Sequence, residues 1–266
     1  MRRLPLLIAI ALSAFPATAH EFWISPQTYI IDAQDQLVAD IRVGEDFKGG
    51  AYTYLPPRFE RFDLVHNGQV LPVEGRIGDR PALNMQAPGS GLITIVHQTT
   101  DSTLTYSEAK KFKKFVTHKD FAWTLDEHKA RGLPEFGFKE VYSRYGKSLV
   151  AVGDGAGSDQ DVGLLTEIVA LANPYTADLS DGLPVRVLYQ GEIRADTQVE
   201  VFEKAPDDSV SVTIHRTDDT GVALIPVKPG YRYLVDSVVM RAVEPETSKD
   251  PVWESLWASL TFMVPN

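Results

Sequence analysis

The sequence predicts a mainly β protein: two Ig-like, E-set-type sandwiches with a helical insertion between them. Three observations carry this. Apolar and polar residues alternate in short runs at both ends, with Leu37, Ala39, Ile41 and Val43 on one face and Val210, Val212 and Ile214 on another. Asn67-Gly68 follows one such run directly, a strong two-residue hairpin signal. Between Ser107 and Gly132 the apolar period changes from strand-like to helical.

The elements follow in order. Arg2 and Arg3, the apolar run Leu4–Ala14, Pro16 and the small-residue site Ala17-Thr18-Ala19 form the three parts of a secretory signal peptide over residues 1–19. The apolar run is too short to span a bilayer, and no later stretch approaches about 18 consecutive apolar residues. The expectation is cleavage after Ala19 and a chain exported to a periplasm. Residues 20–103 are expected as the first sandwich, where Phe62, Leu64 and His66 share a face, as do Ile93, Ile95 and His97. Pro56-Pro57 and Pro88-Gly89-Ser90-Gly91 are its loops.

Residues 104–152 are expected as the helical insertion. Phe112, Phe115 and Val116 recur at helical intervals among four lysines. Thr124 to Gly132 has a threonine start, an acidic first turn, late basic residues and a closing glycine. Glu140, Tyr142, Arg144 and Lys147 fit a second short helix over Lys139–Lys147 that docks through charge pairs. The Gly- and Asp-rich stretch 153–163 reads as a solvated linker, since its oxygens lack the spacing and closing Glu of a calcium loop. Residues 164–266 are expected as the second, Ig-like sandwich. Trp253 and Trp257 share one face of its last strand, as core anchors.

Composition bounds the function. The chain has no cysteine, which excludes disulfides, zinc ribbons, iron–sulfur clusters and blue-copper ligation. Its net charge is −10, and loss of Arg2 and Arg3 takes it to −12. That excludes nucleic acid as a partner and favours cations. No serine-hydrolase elbow, H-E-x-x-H, P-loop or dinucleotide fingerprint is present.

The residue that draws attention is His20. As a mature first residue it would own an α-amine beside its imidazole, a two-nitrogen chelate open to a metal at neutral pH. One distal imidazole would complete three nitrogens, a set that suits Cu(II) or Ni(II). His118, with Asp120, lies between the predicted helices where a loop can reach a strand end; His97 closes a core-facing strand. His128 reads as a surface residue of its helix, and His66 and His215 rank below. Glu21, Glu45 and Asp46 could add oxygen ligands.

His20-Glu-Phe-Trp23, Gly44-Glu-Asp-Phe-Lys-Gly49, Glu140-Val-Tyr-Ser-Arg-Tyr-Gly-Lys147 and Trp253-Glu-Ser-Leu-Trp-Ala-Ser-Leu-Thr-Phe262 together resemble the DUF4198 family. Its members look like periplasmic proteins related to NikM-like accessory components of nickel and cobalt uptake. The resemblance spans nearly the whole mature chain. It implies export, a two-domain β fold with a helical insertion, and a role in handling nickel, cobalt or copper for a membrane metal transporter or outer-membrane receptor. In one place the chain departs: many relatives carry a His before the methionine of the penultimate strand, where this chain has Val239-Met240. The expected site is therefore His20 with His118, His97 and Asp120, in a binder and not an enzyme. The residues alone leave two alternatives open: a copper mono-oxygenase using the same histidine brace, and a metal-free structural or carbohydrate-recognition module.

Overall fold

Residues 20–266 are described in a computed structural model; the signal peptide expected over residues 1–19 lies outside them. A ten-stranded sheet forms the spine of the molecule. Its order across the sheet is Val210–Arg216, Gln198–Lys204, Arg232–Ala242, Pro251–Met263, Lys139–Val152, Gly91–Thr99, Phe59–His66 and Gln69–Pro72. The short strands Ile30–Ile31 and Ser102–Thr105 also pair with Lys139–Val152. Two four-stranded sheets pack on this spine, one at each end.

The first holds Glu21–Pro26, Gln36–Glu45, Lys48–Tyr52 and Leu83–Gln86. Phe22, Ile24, Leu37 and Ile41 meet Phe62, Leu64, Ile93, Ile95, Val150 and Val152 of the spine in one core. The alternation through Leu37, Ala39 and Ile41 is thus the inner face of a sandwich. Asn67 and Gly68 both take positive φ, 49° and 74°, and join Phe59–His66 to Gln69–Pro72, as a primed hairpin turn requires. The second sheet holds Thr166–Ala170, Leu183–Tyr189, Glu192–Ile193 and Val222–Ile225. Its Ile168, Val185, Val187 and Ile225 pack on Val199, Val201, Tyr233, Val235, Leu260 and Phe262 of the spine. The architecture is mainly β, with two sandwiches that share one sheet.

Two helices, α1 (Ala109–His118) and α2 (Trp123–Ala130), lie over the spine. Phe112, Phe115 and Val116 of α1 pack with Val238, Met240, Trp253 and Trp257. Trp253 and Trp257 are core anchors, as their even spacing on a strand predicts. Phe115 stacks on Trp257 with centroids 5.6 Å apart.

Four local expectations are corrected. Lys139–Lys147 is not a helix but the first two-thirds of the 14-residue strand Lys139–Val152. That strand runs parallel to Pro251–Met263 through ten registered pairs and antiparallel to Ser102–Thr105. Period two explains Glu140, Tyr142 and Arg144 on one face and Lys147 on the other. Stretch 153–163 is packed rather than solvated in part: Asp159 is buried, and Asn173 donates to the carbonyls of Gly155 and Gly157 at 2.8 and 2.9 Å. His128 faces inward, accepting from Trp253 Nε1 at 2.9 Å and lying 2.9 Å from the Pro134 carbonyl. Val212 and Ile214 are exposed, because Val210–Arg216 is the edge strand of the spine and no sheet covers it.

Candidate functional site

The first strand, Glu21–Pro26, crosses the spine where α1 ends. Its approach is close: a Cβ on Gly146 would lie 2.8 Å from the ring of Phe22, so the strand can seat there only over a glycine. Glu200 and Asp236 are direct cross-strand partners, and Asp236 is registered in turn with Ser259. Directly paired residues share a face, so two carboxylates stand side by side under the end of α1.

Lys119, the residue that follows α1, drops its side chain between them. Its Nζ donates to Asp236 Oδ1 at 2.8 Å and to Glu200 Oε2. The same ammonium lies 5.0 Å from the centre of the Trp257 ring. Burial works against charge on Lys119, and the carboxylates of Asp236 and Glu200 more than reverse it, so its pKa stands above the ordinary lysine value. Glu21 joins from the first strand. Burial pushes its carboxyl up to about 8, helped by the negative charge of Asp236 and opposed by Lys119. Burial likewise raises Asp236. Two oxygens of this cluster, Glu21 Oε2 and Asp236 Oδ2, are buried without a hydrogen-bond partner.

His118 is the imidazole brought to this cluster. Its Nε2 lies 2.7 Å from Glu200 Oε1, and its side chain is 53% exposed while that of Glu200 is 2% exposed. The ring thus caps a buried carboxylate from the solvent side. His20 adjoins the cluster through Glu21, and its carbonyl accepts from Arg144 Nη2 at 3.3 Å. Asp120 is turned elsewhere: it takes φ 67° just after α1 and pairs with Arg216.

His97 sits apart from these groups. It is 1% exposed and walled in by the rings of Phe59, Phe62 and Phe22, with centroids 4.6, 5.0 and 5.3 Å away. Burial pulls its pKa down to about 3, so the ring is neutral. Of the expected set, His118 touches the carboxylate cluster, His20 precedes Glu21 in the chain and meets Arg144 through its carbonyl, and His97 and Asp120 face other partners. Glu45 ends the strand Gln36–Glu45, and Asp46 with Phe47 forms the turn before Lys48–Tyr52, where Asp46 has φ 52°. Among the described residues no three His, Cys, Asp or Glu side chains are grouped so as to hold a metal ion. A three-donor site here requires a donor that is not a side chain, and the α-amine of a chain starting at His20 is such a donor.

The sequence reading did not single out Lys119, Glu200 or Asp236, and it took Arg144 only as a charge-pairing residue of an expected helix. Asp236 did carry a signal, as the one acid in the apolar run Tyr233-Leu-Val-Asp-Ser-Val-Val239. Glu200 carried none, for it alternates with Val199 and Val201 as any solvated strand residue would.

Comparison with known proteins adds the following. A family profile described as "Domain of unknown function (DUF4198)" matches residues 17–241. No curated protein matches the chain. Among solved structures, the D0-D1 domain of Intimin matches at 12% identity, over 90% of this chain and 97% of that one, with a TM-score of 0.25. A tetra-tandem repeat in the extending region of a large adhesion protein matches at 10% identity and a TM-score of 0.20, over 92% of this chain and 50% of that one.

Proposed function

The chain belongs to the DUF4198 family, a family without an assigned activity, and we propose that this member is an exported transition-metal-binding protein. Its metal is nickel, cobalt or copper, held by the amine and imidazole of His20 and by the imidazole of His118. The observation that carries the reading is the seating of His118 Nε2 on buried Glu200, in the cluster that Glu21 ties to His20. A nitrogen-rich set with carboxylates behind it suits these borderline cations. A carboxylate behind a ligating imidazole fixes its tautomer and raises its basicity. The partnerless oxygens of Glu21 and Asp236 fit a site that gains by receiving positive charge. The periplasm is the compartment this role requires, and a membrane metal transporter or outer-membrane receptor is the recipient we envisage.

The test is a titration of Cu(II) and Ni(II) into protein whose first residue has been fixed by intact mass. Tight binding is expected for a His20 start. Adding one residue before His20 should weaken it by roughly a hundredfold, about 2.7 kcal/mol, because the imidazole stays but the chelate ring opens. His118→Ala should weaken it by roughly tenfold, whereas His97→Phe should leave it unchanged. Tight binding that ignores the extension would refute the N-terminal site.

A further inference from the structure

On the other side of Arg144 a second feature has no place in the metal reading. A cavity of about 350 Å³ opens between the first strand, the end of Lys48–Tyr52 and the spine. That volume falls at the small end of the ~300–1,000 Å³ range of ligand pockets. Phe22, Phe59, Tyr52 and Tyr142 supply aromatic walls, and Arg58, Arg144 and His97 supply nitrogen. No Asp, Glu, Asn or Gln lines it, although the chain as a whole carries a charge of −10. Thr53, Thr99, Thr100 and Ser102 add hydroxyls, so two guanidiniums meet a partly polar chamber with no protein anion facing them there.

The polar groups are also unsatisfied. Both ring nitrogens of His97 and Nε of Arg144 are buried without a partner, three of the eight such side-chain atoms among the described residues. Leaving a buried donor or acceptor unmade costs about 1–3 kcal/mol. Three around one cavity point to an absent polar partner. Arg144 is held for such a partner: its guanidinium carbon lies 4.8 Å from the Tyr142 ring centre, and its backbone N–H donates to Thr99 Oγ1 at 3.0 Å. Nη2 donates to the His20 carbonyl at 3.3 Å, and the remaining N–H groups of the guanidinium edge are left for a carboxylate.

We propose that this cavity binds a small aromatic monocarboxylate that carries a second polar group. The ring lies among Phe22, Phe59 and Tyr52, the carboxylate meets Arg144 and Arg58, and the second group reaches His97. A neutral imidazole offers one donor and one acceptor, which suits a hydroxyl. A sugar fits less well, because its hydroxyls need carboxylate or amide acceptors that this lining lacks. A phosphate dianion would bring twice the charge of a carboxylate into a chamber only partly open to water. The site meets His20 only at its backbone carbonyl, which accepts from Arg144 Nη2 and which a change of the His20 side chain leaves in place.

Calorimetry and ligand-observed NMR with 4-hydroxybenzoate, benzoate, 4-hydroxybenzyl alcohol and glucose test this on the whole protein. The hydroxybenzoate should bind best, benzoate several-fold weaker, the neutral alcohol at least tenfold weaker, and glucose not at all. Arg144→Gln should lower affinity for the hydroxybenzoate at least tenfold, and His97→Phe should erase its advantage over benzoate. Arg58→Gln and Tyr52→Ala alter exposed residues and keep the test valid if the buried variants fail to fold; each should cost several-fold. His20→Ala, which would abolish metal binding, should leave these affinities within twofold, so the two readings fail separately. Absence of binding at 10 mM, equal binding of acid and alcohol, preferred binding of glucose, or indifference to Arg58→Gln and Tyr52→Ala would each overturn the proposal.

Discussion

Two lysines are buried in this protein, and each meets two carboxylates. Lys147 Nζ lies 2.9 Å from Asp159, 2.8 Å from Glu167 and 2.9 Å from the Gln160 carbonyl. The remaining capacity of those carboxylates is filled. Asp159 accepts from the Ala170 N–H at 2.9 Å and from Thr94 Oγ1 at 3.3 Å, and Glu167 accepts from the N–H groups of Val162 and Leu164. The Lys119 cluster uses the same residue types and leaves Asp236 Oδ2 and the neighbouring Glu21 Oε2 without partners, under a half-exposed imidazole. Burial and charge are alike in the two clusters. A partner for every carboxylate oxygen is what differs, and it separates a clamp that fixes 153–163 to the sheet from a cluster with two oxygens left unpaired.

The largest effect is expected at the closed clamp. Lys147→Met leaves two anions enclosed with no cation, and chemical denaturation should show a loss of about 3–5 kcal/mol. A loss below 1 kcal/mol would mean that the clamp is not the structural member of the pair.

A buried acid with no cation at all sharpens the contrast. Glu140 accepts from Tyr106 at 2.6 Å and from Ser255 at 2.5 Å, and burial pushes its pKa up to about 7 from 4.5. The folded state holds this proton more tightly than the unfolded state. The stabilising contribution is thus complete below pH 4.5 and is lost as pH rises through about 7. Relative to Glu140→Gln, the native protein should lose about 3 kcal/mol between pH 4.5 and 8. A flat difference curve would contradict the proton assignment.

Lys119→Met should cost less, about 2–3 kcal/mol, because water can reach the cluster past His118. The informative measurement is rescue. Ni(II) at about 100 times its dissociation constant adds ~2.7 kcal/mol to any fold it binds. It should raise the denaturation midpoint of Lys119→Met more than that of Lys147→Met, because both variants keep His20 and His118 but only the first frees carboxylates beside His118. Equal response of both would erase the distinction drawn between them. Smallest of all, His118→Ala should change stability by less than ~0.5 kcal/mol, as an exposed residue does, while metal affinity falls.

Much of the fold is legible from period alone. Leu37 to Val43, Asn67-Gly68 and the α1 seam of Phe112, Phe115 and Val116 are each explained by local chemistry and recur unchanged in three dimensions. Lys139–Lys147 is misleading because Glu140, Tyr142, Arg144 and Lys147 satisfy both a charge-paired helix and a strand. The choice is made by partners, Ser102–Thr105 and Pro251–Met263, the latter more than a hundred residues away. Val212 and Ile214 alternate as a buried face does, yet nothing packs over that edge. The site divides the same way. His118 can be suspected from its place between two helices, but Glu200 and Asp236 become a pair only when Gln198–Lys204 and Arg232–Ala242 come into register.

The parallel seam between Lys139–Val152 and Pro251–Met263 has a kinetic consequence. Pro251–Met263 is the middle rail of the spine, so until residue 263 is in place Lys139–Val152 and Arg232–Ala242 both present open edges. The core of the first sandwich lies wholly within residues 22–152, but the two sandwiches are joined into one sheet only when Pro251–Met263 pairs on both sides. Closing a loop of about a hundred residues comes before the reward of the final pairing, which makes folding slow and late. In a chain built this way the spine stays in two halves until Pro251–Met263 pairs, and that single strand then joins them.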